Sequence, residues 1–585
     1  MSVKGLVGPI RHNRIWSLKA DPAMVRLRYL LGGIAVGVGL VYGWVGRAAA
    51  HNIDVISYLD MGDAYLRGDW KTAVNGLWSP LYALLLGGAM KIMKPAPFWE
   101  FPLVHLVGFA IYIGALLCFN ILWIEFGQVL REAYSSQEES WVTFSQSAWL
   151  LLGYCLFLWV SLQLITVLEE TPDMLLAAAV YLASAFILRI SRDRAGIGTF
   201  VLFGMVLGLG YDAKAILFPL TFVFLGVAAF TTYKRKRSFA GPLVAVFVFL
   251  LTASPLLLVL SRSKGRFTFG DSGKINYIWH VDGVPRMYWL GNYPGSGAPI
   301  HPPRLILKEP LVYEFAAPFA ATFPPWYDPS YWYDGMKSHF DLGKQIRALV
   351  EAAGIYHGLF LRPGAALIAI SLILFLSGAR SKDLAGRLDV LLPAMAALGL
   401  YALVHVESRY VAPFILVFWG GVLSRVRLPK SELAIRVLRF SALAVILIYA
   451  VELSLGPLRA AAPEKFRAAE MQEELEVARS IRQAGIRPGD QVATVDGLSG
   501  VVWARLAKVR IVADLPDDAD LWSQRSDVRL RVYSALATTG AKAIVTGSVP
   551  PSGSMDGWIR INQTGHYLYP LMRLPDRSKD QAREQ

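Results

Sequence analysis

Residues 29–46 read YLLGGIAVGVGLVYGWVG, and shortly after them residues 51–82 read HNIDVISYLDMGDAYLRGDWKTAVNGLWSPLY. The first stretch is an unbroken apolar run, long enough to cross a hydrocarbon core as a helix. The second places Asp54, Asp60, Asp63 and Asp69 just beyond the expected membrane boundary. Carboxylates at the rim of a membrane bundle are costly unless they are paired or put to use. The juxtaposition therefore marks both a fold class and a candidate functional site.

Working outward, apolar runs of similar length recur at 101–124, 148–168, 174–190, 197–212, 215–232, 240–261, 363–378, 388–405, 410–424 and 437–455. With the first run they predict about eleven transmembrane helices. The 585 residues are 55% hydrophobic and only 17% charged, with a mean hydropathy of +0.42. The class is a polytopic α-helical membrane protein whose main partner is the lipid bilayer. The runs are continuous rather than alternating, which excludes a membrane β-barrel. Cys118 and Cys155 both lie inside apolar runs, so neither a disulfide framework nor a cysteine metal site is expected.

The net charge of +14 has a topological origin. Lys and Arg cluster between spans, in the arm 1–28, at Arg189/Arg192/Arg194, in Lys234-Arg235-Lys236-Arg237, at Arg380/Lys382/Arg387 and around Arg425–Arg439. They form no continuous stripe, so no nucleic-acid partner is expected. All these loops fall on the cytoplasmic side if residues 80–94, PLYALLLGGAMKIMK, form a re-entrant or surface helix and not a span. The 125–147 connection is then cytoplasmic despite its mixed charges. The expected location is the bacterial inner (plasma) membrane, with the N-terminus inside. The arm 1–28 is too long, and too many spans follow it, for a cleaved signal, although Ala48 and Ala50 imitate a cleavage site.

The exported side then holds the loops 47–100 and 262–362 and a tail, 457–585. A change of composition separates that tail, as a soluble α/β domain, from a membrane domain 1–456. Helices at 471–483, 499–506 and 525–538 alternate with strands at 491–495, 510–515 and 541–546, which predicts a parallel sheet. No glycine-rich phosphate loop opens any of these helices.

Several polar groups on the exported side invite chemistry. Asp54, with His51 before it and Tyr58 one turn later, is either a base at the membrane face or the cap of a helix starting at Val55. In Glu169-Glu170-Thr171-Pro172-Asp173, one acid or Thr171 can cap a helix, but three carboxylates exceed that need. Asp54, Glu170 and Asp173 together are oxygen donors of the kind a divalent metal (Mg, Mn or Zn) takes. Lys214 and Arg409 suit phosphate, although a lysine also snorkels and Arg409 has Glu407 for a neighbour. The aromatics Tyr277, Trp279, Tyr288, Trp289 and Tyr293, with PPWYDPSYWYDG at 324–335, are interfacial anchors or a surface for a sugar face. An Asp-x-Asp pattern within Asp517-Asp518-Ala519-Asp520 reads as an acidic surface turn.

Taken in order, these elements resemble the GT-C glycosyltransferases, in particular the lipid-A aminoarabinose transferases and the protein O-mannosyltransferase-like group. The resemblance rests on Asp54, Tyr58, Gly68-Asp69-Trp70, Asn75-Gly76 and Pro80-Leu81-Tyr82. It continues through the second acidic element Glu169, Glu170 and Asp173, then Lys214, then Arg409-Tyr410 followed by Pro413. It covers about residues 1–425. Val55 follows Asp54 where the family often has Glu, and Trp78-Ser79 precede Pro80 where the family has a Lys.

The resemblance implies an inverting transfer of a hexosyl or pentosyl unit from a polyprenyl-phosphate-linked donor to an acceptor hydroxyl on a lipid, glycan or protein. Asp54 would be the base. Lys214, Arg409 and Tyr410 would hold the donor phosphate, and Tyr58, His51, Tyr82 and Glu407 would be substrate contacts. A lipid-linked polysaccharide ligase or polymerase uses the same donors. A transporter or flippase would instead need a midplane site and an internal pseudo-repeat, and the sequence shows no repeat.

Overall fold

The computed structural model describes residues 21–135, 141–285, 297–315, 317, 321–361, 367, 368, 371, 388–495, 501–516, 521–547 and 557–571. Its helices, in chain order, are α1 (Pro22–Gly46), α2 (Asp54–Arg67), α3 (Trp70–Ala73), α4 (Pro80–Met93), α5 (Glu100–Ser135), α6 (Gln146–Trp159), α7 (Asp173–Ser191), α8 (Ile197–Ala213) and α9 (Leu217–Lys234). There follow α10 (Ala240–Lys264), α11 (Ser272–His280), α12 (Pro324–Tyr327), α13 (Leu342–Leu361), α14 (Leu388–Ala402), α15 (Ser408–Leu423), α16 (Glu432–Gln483), α17 (Val501–Ala507) and α18 (Ser526–Ala537).

Among the described residues, 7 helices are long and apolar enough to cross a membrane. Shorter apolar helices α8, α14 and α15 fill three more of the expected spans. The expected span at 363–378 lies outside the described residues except for Leu367, Ile368 and Ser371. Lipid-facing side chains are plain on α10, where Leu243, Phe247 and Leu251 are all more than half exposed. In the absence of water, only internally hydrogen-bonded helices can present such a surface to lipid.

The connections gather at two ends. At one end Arg192 binds Glu125 at 2.6 Å and Glu132 at 2.8 Å, Arg189 binds Glu125, and Arg237 binds Asp193. A two-stranded pairing of β1 (Trp141–Val142) with β4 (Leu428–Pro429) ties the 136–145 connection to the basic segment 425–430. Two acids of the 125–147 segment, Glu125 and Glu132, thus pair with the Arg189–Arg194 turn at the same end. The acidic turn before α7 lies at the opposite end of that 19-residue helix.

At this second end sits the layer expected to be exported. Helix α4 is a short apolar helix of 14 residues, about 21 Å. It packs on α2, where backbones meet closely: a Cβ on Gly62 would stand 2.6 Å from the Ala83 carbonyl oxygen. A seven-stranded sheet covers this layer. Its strands are β2 (Arg304–Lys308), β3 (Leu311–Glu314), β5 (Gln491–Thr494), β6 (Arg510–Asp514), β7 (Ala543–Thr546), β8 (Ile559–Arg560) and β9 (Tyr567–Pro570), in the order β2-β3-β6-β5-β7-β9-β8.

The predicted parallel core is present, with β5 between β6 and β7. Two features go beyond the sequence expectation. The hairpin β2–β3 comes from the long loop and joins the tail's sheet through Tyr313 opposite Asp514. The expected last span and the tail's first helix are one 52-residue helix, α16, with no break at 456. Compositional change there marks a change of surroundings along a single rod, not a change of element.

The aromatic loop also differs from expectation. Tyr327, Tyr331, Trp332 and Tyr333 are buried in the core of the layer expected to be exported, so they are neither membrane anchors nor a sugar platform. Tyr288, Trp289 and Tyr293 lie outside the described residues, as does the Asp517–Asp520 turn.

Candidate active site

The four acids of the opening segment have separate fates. Asp69 caps α3, accepting from Thr72 N–H at 3.2 Å. Asp60 and Asp63 bind the Arg505 guanidinium of α17 at 2.7 and 2.8 Å, and Glu100 completes the clamp at 2.7 Å. Asp60 also accepts from Thr322 N–H and Oγ1. Asp54 is the one left to the site. It is the first residue of α2, half-buried, and it does not cap the helix: the N-cap is Ile53, and Asn52 Oδ1 accepts the Asp54 N–H at 2.9 Å.

The second acidic element follows a disturbed helix end. Val160–Leu164 continue α6 as a π-helical turn, and Thr166 adopts φ +62°. Such turns interrupt the regular ladder and recur at functional sites. Asp173 then opens α7 without acting as its cap. It is fully buried, accepts from Thr171 Oγ1 at 2.9 Å and binds Lys214 Nζ. Lys214 ends α8 in an extended conformation and sets its ammonium over the Tyr410 ring, 3.6 Å from the centroid. Burial pulls the Lys214 pKa down, against the pull of Asp173. The lysine therefore faces inward and does not snorkel.

Arg409, at the start of α15, completes the cluster. It donates to Glu407 at 2.6 Å and to Glu169 at 3.1 Å, and lies 3.9 Å from Asp173. Burial raises the Glu407 pKa, but His405 and Arg409 outweigh it and hold the carboxyl at about 2. Tyr401 stacks on Tyr410, 5.5 Å between centroids.

Tyr58 joins the two motifs. It is buried, edge-on to Trp78 at 5.3 Å and to Tyr82 at 5.1 Å. Burial, then the charges of Asp54 and Asp173, drive its hydroxyl pKa well above the usual value. One phenol thus feels both carboxylates. Contacts join Asp173, Lys214, Glu169, Glu407, Arg409 and Tyr410 into one cluster, Tyr58 packs on Tyr82, and Asp54 is near enough for its charge to act on Tyr58 and Tyr410.

Glu170 and His51 turn to different partners. Glu170 is buried between His51 and His105, with Nδ1 of His51 3.4 Å away and Nε2 of His105 3.1 Å away. Burial raises its pKa, but His105 and then His51 more than reverse this and bring it to about 2. Nε2 of His51 meets Glu464 of α16 at 2.8 Å. Glu170 therefore sits with imidazoles, whereas Asp173 sits with cations. The expected all-oxygen grouping of Asp54, Glu170 and Asp173 gives way to a mixed set of two imidazole nitrogens and one carboxylate, in which the three donor atoms lie within 4.8 Å of one another.

Two further cavities border this region. A largely apolar groove of about 650 Å³ is lined by Leu40, Trp44, Met93, Trp99 and Leu106, with Arg47, Lys94 and His105 among them. Beneath the sheet layer a cavity of about 970 Å³ is lined by Arg67, Lys71, Lys264, Arg266, Lys274, Lys337 and Arg510, against Asp69, Asp328 and Asp334. Its wall is shared with the site: Asn75 and Trp78 both donate to the Tyr327 carbonyl, and Trp78 packs on Tyr58. Sequence reasoning missed His105, Glu464 and Arg505. Each is an isolated residue whose partner is more than fifty positions away, so spacing carries no signal of it.

No protein-family model matches the chain, and no curated protein matches it by sequence. The fold is similar to that of ArnT from Cupriavidus metallidurans. The structure of that protein bound to undecaprenyl phosphate aligns with TM-score 0.53 at 13% identity, over 95% of this chain and 99% of that one. Its apo state aligns with TM-score 0.53 at 13% identity, over 94% and 98%. A looser likeness, TM-score 0.46 at 11% identity over 88% of this chain and 69% of the other, is to the apo oligosaccharyltransferase of Archaeoglobus fulgidus. The shared architecture is the GT-C fold that the sequence motifs resemble.

Proposed function

We propose that this chain is an integral membrane glycosyltransferase that moves a sugar from a polyprenyl-phosphate donor to an acceptor hydroxyl on the extracytoplasmic side. The observation that carries this reading is the buried cluster in which Asp173 holds Lys214 and borders Arg409, with Asp54 near enough for its charge to act on Tyr58 and Tyr410. A base and two cations at a membrane rim are what such a displacement requires. Asp54 takes the proton of the acceptor hydroxyl, and the oxygen attacks the anomeric carbon from the face opposite the phosphate. The anomeric C–O bond breaks, its electron pair leaves on the phosphate, and the configuration inverts. Lys214 and Arg409, fixed beforehand by Asp173, Glu407 and Glu169, stabilise the charge that develops on the leaving group.

The largely apolar groove suits an isoprenoid chain, since its walls include Leu, Trp, Met and Pro. The basic cavity supports an acceptor that carries anionic groups. The test is an assay of purified protein with a panel of radiolabelled polyprenyl-phosphate sugars, with and without acceptor extracts. Label passing to an acceptor with at least one donor is the expected result. No transfer from any donor, by well-folded protein, would sink the reading.

A further inference from the structure

We propose that His51, His105 and Glu170 form a zinc-binding site that clamps together the two segments bearing Asp54 and Asp173. The three come from different elements: the loop after α1, the membrane helix α5 and the turn before α7. All three side chains are almost wholly buried, at 3%, 3% and 1% exposure. The donor atoms are Nδ1 of His51, Nε2 of His105 and Oε1 of Glu170, separated by 3.4 Å and 3.1 Å along the two edges that meet at Glu170. Tetrahedral zinc with bonds of about 2.0–2.1 Å has ligand–ligand edges of about 3.3–3.4 Å. The two edges at Glu170 are close to those of such a site, and all three donor atoms lie within 4.8 Å of one another. Nε2 of His105 donates to the Ala49 carbonyl oxygen at 2.8 Å, and zinc would take the place of that proton.

The surrounding groups are arranged as they are around metal ligands. A ligating histidine generally gives its other ring N–H to a carboxylate, which fixes the ring and raises its basicity. His51 does so, with Nε2 2.8 Å from Glu464, which is in turn held by Arg467 at 3.0 Å. The ligating carboxylate is held as well: Oε2 of Glu170 accepts the backbone N–H groups of His51 and Asn52 at 3.1 and 3.0 Å. Glu170 and Glu464 bring two negative charges to a buried place, and one dication balances both with the two imidazoles neutral. The mixed nitrogen and oxygen set suits zinc better than magnesium, which favours six oxygens.

The site's position gives it a purpose. His51 precedes Asp54 by three residues, and Glu170 precedes Asp173 by three. An ion here would fix the spacing of two segments that α1 and α6 deliver separately. His51, His105 and Glu170 would be positioning residues, with no part in bond making. The binding claim does not depend on the proposed transfer reaction.

The test uses untagged, detergent-solubilised full chain, stripped with chelator and then offered Zn²⁺ alone. Elemental analysis after desalting should find about one zinc per chain, and thermal unfolding should move upward on zinc addition. Co²⁺ in its place should give the visible ligand-field bands of a tetrahedral site. His105→Ala should abolish both the binding and the thermal shift, while Asp54→Asn, which leaves all three ligands in place, should retain both. Folded wild-type protein that holds no zinc above background would overturn the proposal, as would His105→Ala and Glu170→Gln variants that bind as the wild type does. If those variants fail to fold, the cobalt spectrum of the wild type decides: an octahedral or absent spectrum refutes the site. The cluster would then be a buried ion-pair triad only.

Discussion

At the scale of single residues, Asp54 is informative because asparagine in its place keeps the size and removes the charge. It heads α2 without capping it, and Asn52 satisfies its backbone N–H. In Asp54→Asn protein that still folds, turnover should fall by about 10²–10⁴, the range for loss of a general base. Normal turnover by folded Asp54→Asn would remove it from the mechanism. Lys214 and Arg409 call for a different expectation, because each is held by carboxylates in the resting protein. A charge-assisted contact contributes about 1.5–3 kcal/mol, so Lys214→Ala and Arg409→Ala should each lower kcat/KM for the donor by roughly 10- to 100-fold. Donor kinetics equal to wild type in both would assign the pair to holding Asp173 and Glu407 alone. The sequence made these residues visible because each breaks an apolar context. It could not show that Glu170 faces two histidines while Asp173, three residues on, faces a lysine: that split depends on how α5, α8 and α16 approach the turn.

At the scale of elements, the contact of α2 with α4 sets the position of Tyr58 against Tyr82, and two glycines make that contact possible. A Cβ on Gly62 would lie 2.6 Å from the Ala83 carbonyl oxygen, and one on Gly87 would lie 3.0 Å from Gly62 Cα. The obstacles are backbone atoms, so the helices themselves must part. Gly62→Ala should cost about 1–3 kcal/mol, the range for overpacking, and should reduce turnover by separating the tyrosines. Gly88 is its control: it lies on α4 beside Gly87, but a Cβ there meets nothing within 4 Å. Gly88→Ala should be neutral or stabilise by up to about 1 kcal/mol through helix propensity. Thermal midpoints in detergent for the pair check both, and equal midpoints would dismiss the close crossing. The apolar content of 80–94 made a short helix legible. The partner across its glycines was invisible, because Gly-Gly in an apolar run signals close packing without naming what approaches.

At the scale of the whole molecule, the structure decides which connections share a side of the membrane, and charge decides which side that is. The 125–147 connection, the Arg189–Arg194 turn and the 234–237 and 425–430 segments are joined at one end by ion pairs and by the β1–β4 pairing. The hairpin β2–β3 shares a sheet with the tail, and Arg505 of the tail is clamped by Asp60, Asp63 and Glu100 at the other end. The loop 262–362 and the tail must therefore lie on one side, whatever the orientation. Composition marked the tail as a separate unit because it could not reveal a strand borrowed from two hundred residues earlier. The basic end should be cytoplasmic, since Lys and Arg in short loops are retained there. The prediction is read with single cysteines placed in a Cys118→Ala/Cys155→Ala background and a membrane-impermeant maleimide on intact cells with the outer barrier opened. Lys308→Cys on β2 and Arg560→Cys on β8 are both exposed and should label together from outside. Lys236→Cys, also exposed, should label only after lysis. Opposite behaviour of positions 308 and 560 would break the shared sheet. Joint labelling of both only after lysis would keep the sheet and invert the orientation, and with it the side on which any acceptor must arrive.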